Sequence, residues 1–177
     1  MEGLEFNVST LLQQVVGESA DYEVAVDEAL DLDGIIARLI TGPVRLTRTN
    51  FGILAHATLD ARLGLECDRC LDPYEARVKV DFSEEYLPVI DVSTGRPVQS
   101  ERADETFLIS PNHIVDLTEA TRQHILLSVP MHRLCREDCQ GLCPTCGVNR
   151  NTRSCSCVEE TESPLSALAV LLEESKP

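Results

Sequence analysis

Eight cysteines occur in this 177-residue chain, and each has another within four positions of it. Cys67 and Cys70 form C-D-R-C. Cys135, Cys139, Cys143, Cys146, Cys155 and Cys157 crowd into C-R-E-D-C-Q-G-L-C-P-T-C-G-V-N-R-N-T-R-S-C-S-C. Eight thiols in close pairs match the ligand count of two tetrahedral four-cysteine zinc sites, and such sites hold small modules together.

The spacings are unequal in what they specify. Cys143-Pro-Thr-Cys146-Gly147 is half of a zinc knuckle: the two-residue gap lets both sulfurs reach one metal, and Gly147 can take the positive φ that turns the backbone around it. Cys155-Ser-Cys157 supplies the other half, after the turn-prone G-V-N-R-N. Residues two apart in an extended chain sit too far apart for an unstrained disulfide, so metal suits this pair better. Cys67 and Cys70 have the C-x-x-C spacing of redox motifs, but their flanks look like two strands joined by a turn, without the helix N-terminus that thioredoxin-like chemistry needs. Cys135 and Cys139 fit one helical turn or a loose metal loop. In one partition Cys67, Cys70, Cys135 and Cys139 form the second site. In the other, Cys135 and Cys139 join Cys143 and Cys146, and Cys155 and Cys157 join Cys67 and Cys70. A third reading leaves Cys67 and Cys70 as a free dithiol near the surface. One or two Zn2+ are expected accordingly.

No other residue set builds a catalytic site. His56, His113, His124 and His132 are scattered, with His132 near enough to Cys135 to serve as an alternative ligand. No phosphate-binding loop, nucleophile elbow or H-E-x-x-H is present. An all-cysteine site has no open position for water, which argues for structure over catalysis. The N-terminus lacks the basic and apolar regions of a signal peptide, and no stretch is long and apolar enough for a membrane helix. A cytoplasmic protein is expected, in a compartment where paired cysteines hold metal or do redox work.

Period-two apolar patterning dominates the middle of the chain. Leu54 to Leu65 and Arg77 to Phe82 alternate on either side of C-D-R-C-L-D-P, which puts Cys67 and Cys70 at a β-hairpin tip. T-R-T-N-F-G makes another hairpin turn. Residues 4–8 and 22–26 predict further strands. Ser9 predicts a helix cap, with the helix ending near Gly17, and Asp116 with Glu119 predicts a helix that stops before Pro130. Residues 1–130 thus make a β-rich body with helices and a mobile loop near 88–105. Residues 131–158 make the cysteine-rich zinc module. Ser163-Pro164 opens a C-terminal helix within 159–177 that packs on the body. The predicted fold class is α+β: a mainly antiparallel sheet or partial barrel with a few short helices and a C-terminal zinc-ribbon-like module.

The formal net charge is −15. Eight zinc-bound thiolates with two Zn2+ would lower it by four more charges. Such a chain is not steered to phosphate backbones by its overall field and suits a basic partner better. The cysteine-rich segment differs: Arg133, Arg136, Arg150 and Arg153 outnumber Glu137 and Asp138. These arginines suit local contacts to RNA phosphates, or simply salt bridging and solubility.

Taken together, C-D-R-C-L-D-P-Y-E, V-D-L-T-E-A-T-R-Q-H-I-L-L-S-V-P, G-L-C-P-T-C-G with the flanking cysteines, and S-P-L-S-A-L-A-V-L resemble the bacterial YceD family, the large ribosomal RNA subunit accumulation proteins. L-E-F-N-V-S-T-L-L and R-T-N-F-G-I-L-A fit the same pattern. The resemblance covers nearly the whole chain. It implies a non-catalytic accessory factor in ribosome biogenesis that supports accumulation or processing of large-subunit ribosomal RNA. A large-subunit ribosomal protein or precursor rRNA is the expected partner, with no small-molecule substrate and no membrane. The alternative is a thiol redox or zinc-sensing protein that uses Cys67 and Cys70.

Overall fold

A computed structural model describes residues 3–98 and 107–157. In chain order the elements are β1 (Glu5–Asn7), α1 (Ser9–Leu12), β2 (Ser19–Val26), β3 (Leu30–Leu32), β4 (Ile35–Arg48), β5 (Ile53–Glu66), β6 (Pro73–Pro88), β7 (Phe107–Ile109), β8 (Ile114–Asp116) and α2 (Thr118–Leu127). The main sheet has the order β2-β4-β5-β6-β7, with β3 taking up the edge of β4 beyond β2, and β1 pairs separately with β8. All pairings are antiparallel except that of β6 with β7. β2 and β7 do not pair, so among the described residues the sheet stays open, where the sequence had also allowed a partial barrel.

The patterning of β5 sets the register. Ile53, Ala55, Ala57, Leu59, Ala61, Leu63 and Leu65 all point inward and are buried, while His56, Asp60 and Gly64 between them are exposed. Each buried Leu or Ile contributes roughly 1.5–3 kcal/mol of burial, so a one-residue slip would forfeit several kcal/mol. The alanines on this face leave room for the layer that covers it. That layer is Leu4, Val8, Leu11, Leu12, Val115, Leu117, Ala120 and Ile125, drawn from α1, β8, α2 and the residues flanking β1 and α2. Phe82 of β6 stacks on His124 of α2 at 4.5 Å, and Tyr86 on Phe107 at 5.2 Å. His124 Nε2 lies 2.9 Å from Glu84, which ties the polar edge of α2 to the same strand.

β4 carries a bulge. Its register with β5 shifts between Arg38 and Thr41, Leu39 takes φ 50°, and Gly42 takes φ 146°. A Cβ at Gly42 would run into the Thr58 carbonyl, so β4 can approach β5 here only as glycine. Leu39 is turned out to solvent while Ile40 remains fully buried.

Several expectations shift on inspection. The first helix is one turn, Ser9–Leu12, and does not reach Gly17; Val15 and Val16, 72% and 55% exposed, have nothing to bury against. Ser9 lies inside that turn, and its N–H and Oγ both donate to Asn7 Oδ1. Asp116 is not the cap of α2: the N-cap is Leu117, which makes no side-chain cap bond, and Asp116 stands one residue before it, accepting from the Thr118 N–H at 2.8 Å. Of the loop expected near 88–105, the part up to residue 98 reverses tightly: Asp91 Oδ1 accepts from Ser93 and Thr94, and Ile90 pairs with Pro97. Residues 99–106 and the helix expected within 159–177 lie outside the described residues. Among the described residues no helix is long and apolar enough to cross a membrane.

Candidate metal centres

The fourteen-pair β5–β6 ladder ends at Glu66 and Pro73, and its tip presents Cys67 and Cys70. There the chain makes a knuckle: the Leu71 N–H donates to Cys67 O at 2.9 Å, and the Cys67 N–H to Asp72 O at 3.0 Å. The second C-x-x-C repeats this geometry. The Gly147 N–H donates to Cys143 O at 2.8 Å, and the Cys143 N–H to Val148 O at 2.9 Å. Gly147 has φ 71°, as its place in the motif predicts, and Leu71 occupies the equivalent left-handed position with φ 61°. The two C-x-x-C motifs are therefore the same structural unit, used twice.

The eight sulfurs fall into two groups. Those of Cys67, Cys70, Cys135 and Cys139 lie within 4.8 Å of one another, and so do those of Cys143, Cys146, Cys155 and Cys157. The hairpin tip thus meets Cys135 and Cys139; the exchanged grouping is not seen, and His132 belongs to neither. Cys67 Sγ is 3.8 Å from Cys139 Sγ, and Cys70 Sγ is 3.7 Å from Cys135 Sγ. A tetrahedron with Zn–S bonds of about 2.3 Å has S···S edges of about 3.8 Å. These separations fit sulfurs that share a central metal and are far beyond a disulfide bond; all eight cysteines are free. Four thiolates in a closed tetrahedron suit Zn2+, which would act as a structural tie without an open coordination position.

Each group is primed for thiolate. Burial pushes the Cys67 thiol up, but backbone N–H groups of Cys135, Cys70 and Arg69 outweigh it and bring the pKa down to about 6. Cys143 is lowered to about 5, chiefly by N–H groups of Cys146 and Thr145. Cys157 is driven up to about 12, above all by the neighbouring Cys146 thiol. Cys70 is also driven up to about 12: the Asp72 N–H favours its thiolate, but burial and the surrounding thiols prevail. Four sulfurs this close cannot all ionise unaided, and a divalent cation supplies the missing positive charge.

Sequence reading missed the polar frame around the sulfurs. Asp68 Oδ2 accepts from the Arg133 N–H at 2.7 Å, the Asp68 N–H returns to Arg133 O at 2.7 Å, and Arg133 pairs with the same carboxylate at 3.0 Å. Arg69 donates to Cys139 O, and its own carbonyl accepts from the Leu142 N–H. Asn149 reaches Asp72 at 2.7 Å. Asn151 Oδ1 accepts from Gln140 and Arg136, while its Nδ2 lies 3.4 Å from Cys139 Sγ. Gly141 has φ 68° and sits where a Cβ would come within 3.0 Å of Arg69 O. The repeated C-x-x-C-[LG] and the Asp and Asn residues beside it were the available signal, since such side chains orient metal ligands.

The two groups differ in exposure. Cys67, Cys70 and Cys139 are buried and Cys135 half-buried; in the other group only Cys143 is buried, and Cys146 is exposed.

The family described as "Large ribosomal RNA subunit accumulation protein YceD" matches this chain over residues 55–172, a span that holds all eight cysteines. An uncharacterized protein of Mycobacterium bovis is 32% identical over 130 residues, which is 71% of this chain and 54% of that protein. An uncharacterized protein of Mycobacterium tuberculosis matches to the same extent. The large ribosomal RNA subunit accumulation protein YCED homolog 1, chloroplastic, of Zea mays is 38% identical over 55 residues, 30% of this chain and 19% of that protein. The chain spans about half the length of the mycobacterial relatives it matches. No solved structure matches it.

Proposed function

This chain belongs to the YceD family of large ribosomal RNA subunit accumulation proteins, and from that premise we propose that it is a non-catalytic accessory factor for large-subunit ribosomal RNA, built around two structural Zn2+. The family match, which spans the β5–β6 hairpin, α2 and both cysteine groups, carries this reading. Closed four-sulfur groups support a structural use of the metal. The burial of Cys67 and Cys70 weighs against their use as a freely reacting dithiol.

Removing the gene from the organism that carries it tests the function. Large-subunit rRNA should fall relative to small-subunit rRNA and recover when the intact chain is supplied. An unchanged ratio overturns the proposal. Metal analysis of the purified chain should find two zinc ions, with Cys67→Ser and Cys143→Ser each losing one independently. Iron in their place, or no metal, would remove the structural-zinc part.

A further inference from the structure

Three arginines cross the outer face of the sheet in one row. Arg38 of β4 stands opposite Arg62 of β5, and Arg62 opposite Arg77 of β6. Exposure alternates along the strands so that all three face away from the core. Like charges directly opposite one another on neighbouring strands destabilise a sheet. A chain with net charge −15 has ample carboxylates to relieve that repulsion. Only Arg62 has one nearby, Glu75 Oε1 at 3.4 Å. Neither Arg38 nor Arg77 forms an ion pair among the described residues, and Lys79, one row on, adds a further cation opposite Asp60. The bulge at Leu39 produces the alignment, because it shifts the register that would otherwise continue past Arg38.

The row is bordered by relief in the surface. A groove of about 480 Å³, lined by Leu39, Thr41, Asp60, Arg62 and Arg77, lies along it. A second, of about 500 Å³, lies separately at the hairpin end, lined by Ile35, Leu65, Tyr74 and Arg133 beside the first cysteine group.

We propose that this face binds the sugar-phosphate backbone of RNA without reading its bases. The choice of RNA over other polyanions rests on the function proposed above. The arginine row supplies planar donors suited to phosphate oxygens. The acidic body does not forbid the contact. At physiological salt charges are screened beyond about 8 Å, so the row acts locally; at about 0.01 M the screening length reaches about 30 Å and the whole negative field repels RNA. Binding should therefore be strongest at intermediate salt and weaken on either side.

The test uses the full, zinc-loaded chain and a fluorescently labelled single-stranded RNA of arbitrary sequence. Arg38→Gln/Arg77→Gln should bind about tenfold more weakly at 0.15 M salt, and its log–log salt slope above that should shrink by about 1.4, the share of two phosphate contacts to a single strand. Arg96→Gln/Arg122→Gln, which removes the same charge away from this face, should bind like the unaltered chain. Arg38→Lys/Arg77→Lys should retain most of the affinity. Melting temperature of the double Gln variant should hold or rise, because repulsion is relieved; a purely structural role would lower it. Equal loss in the control pair, no loss in the Arg38/Arg77 pair, or equally tight binding of polyglutamate overturns the proposal. A chain that binds no RNA yet whose removal depletes large-subunit rRNA would overturn this surface and leave the family-level function intact.

Discussion

Leu71 and Gly147 do the same conformational job with different side chains. Both sit in the left-handed region just after a C-x-x-C, where glycine is unstrained and other L-residues lose roughly 1–2 kcal/mol. An added Cβ at Gly147 meets nothing within 4 Å, so Gly147→Ala isolates the backbone effect. It should lower the unfolding free energy of the zinc-loaded protein by about 1 kcal/mol in urea titration. Leu71 is 54% exposed, so Leu71→Gly sheds strain for little lost burial and should leave stability unchanged or raised by less than about 1 kcal/mol. A clear loss on Leu71→Gly would mean that Leu71 makes a contact worth more than its strain. Gly147 was legible in the sequence because C-x-x-C-G announces its own geometry. Leu71 was not, since leucine gives no local sign of a positive φ, and only the knuckle's hydrogen bonds impose it.

At the scale of elements, the β5–β6 hairpin and α2 carry the architecture. Alternation along β5 and β6 made the hairpin and its cysteine tip readable, because side-chain burial on a strand repeats every two residues. α2 was readable from its stop before proline, but its N-cap at Leu117 and its docking were not. Ile125 is fully buried against the sheet and Leu127 is 81% exposed two residues later. Ile125→Ala should cost about 2–5 kcal/mol of stability, and Leu127→Ala less than about 0.5 kcal/mol, both by chemical denaturation. Arg122 links the helix outward, pairing with Glu119 at 2.9 Å and Asp33 at 3.3 Å. Arg122 and Gln123 hold the Glu119 carboxyl at about 2, below an ordinary 4.5. Its folded value is depressed, so the stabilisation is full above about 4.5 and drains away as pH falls toward 2. Half-exposure limits it to well under about 1 kcal/mol. The stability gap between the intact chain and Arg122→Gln should therefore narrow as pH falls through that window, and a gap that widens would contradict the pairing.

The whole molecule is a sheet whose longest hairpin is pinned to a distant segment through sulfur. The main core includes no cysteine; Cys67, Cys70 and Cys139 form a small cluster of their own. Chelation should therefore release the cysteine module while the far-ultraviolet strand signal persists, and a full loss of that signal would show the sheet depends on metal. Release should be biphasic, with the group of Cys143, whose Cys146 is exposed, emptying first. Cys143→Ser should abolish the fast phase only; a single phase for both sites would mean that they open together. By itself the sequence determined what repeats locally: the C-x-x-C knuckle, the alternation that builds β5 and β6, the stop of α2 before Pro130, and the motifs that mark the family. Only the tertiary structure decided which sulfurs share a site, that Asp68 locks onto Arg133, and that Arg38, Arg62 and Arg77 fall in line. The physical reason is separation along the chain. Cys67 meets Cys139 across 72 residues and Cys70 meets Cys135 across 65, contacts set by strand register, one bulge and the path of the backbone, which no local period encodes.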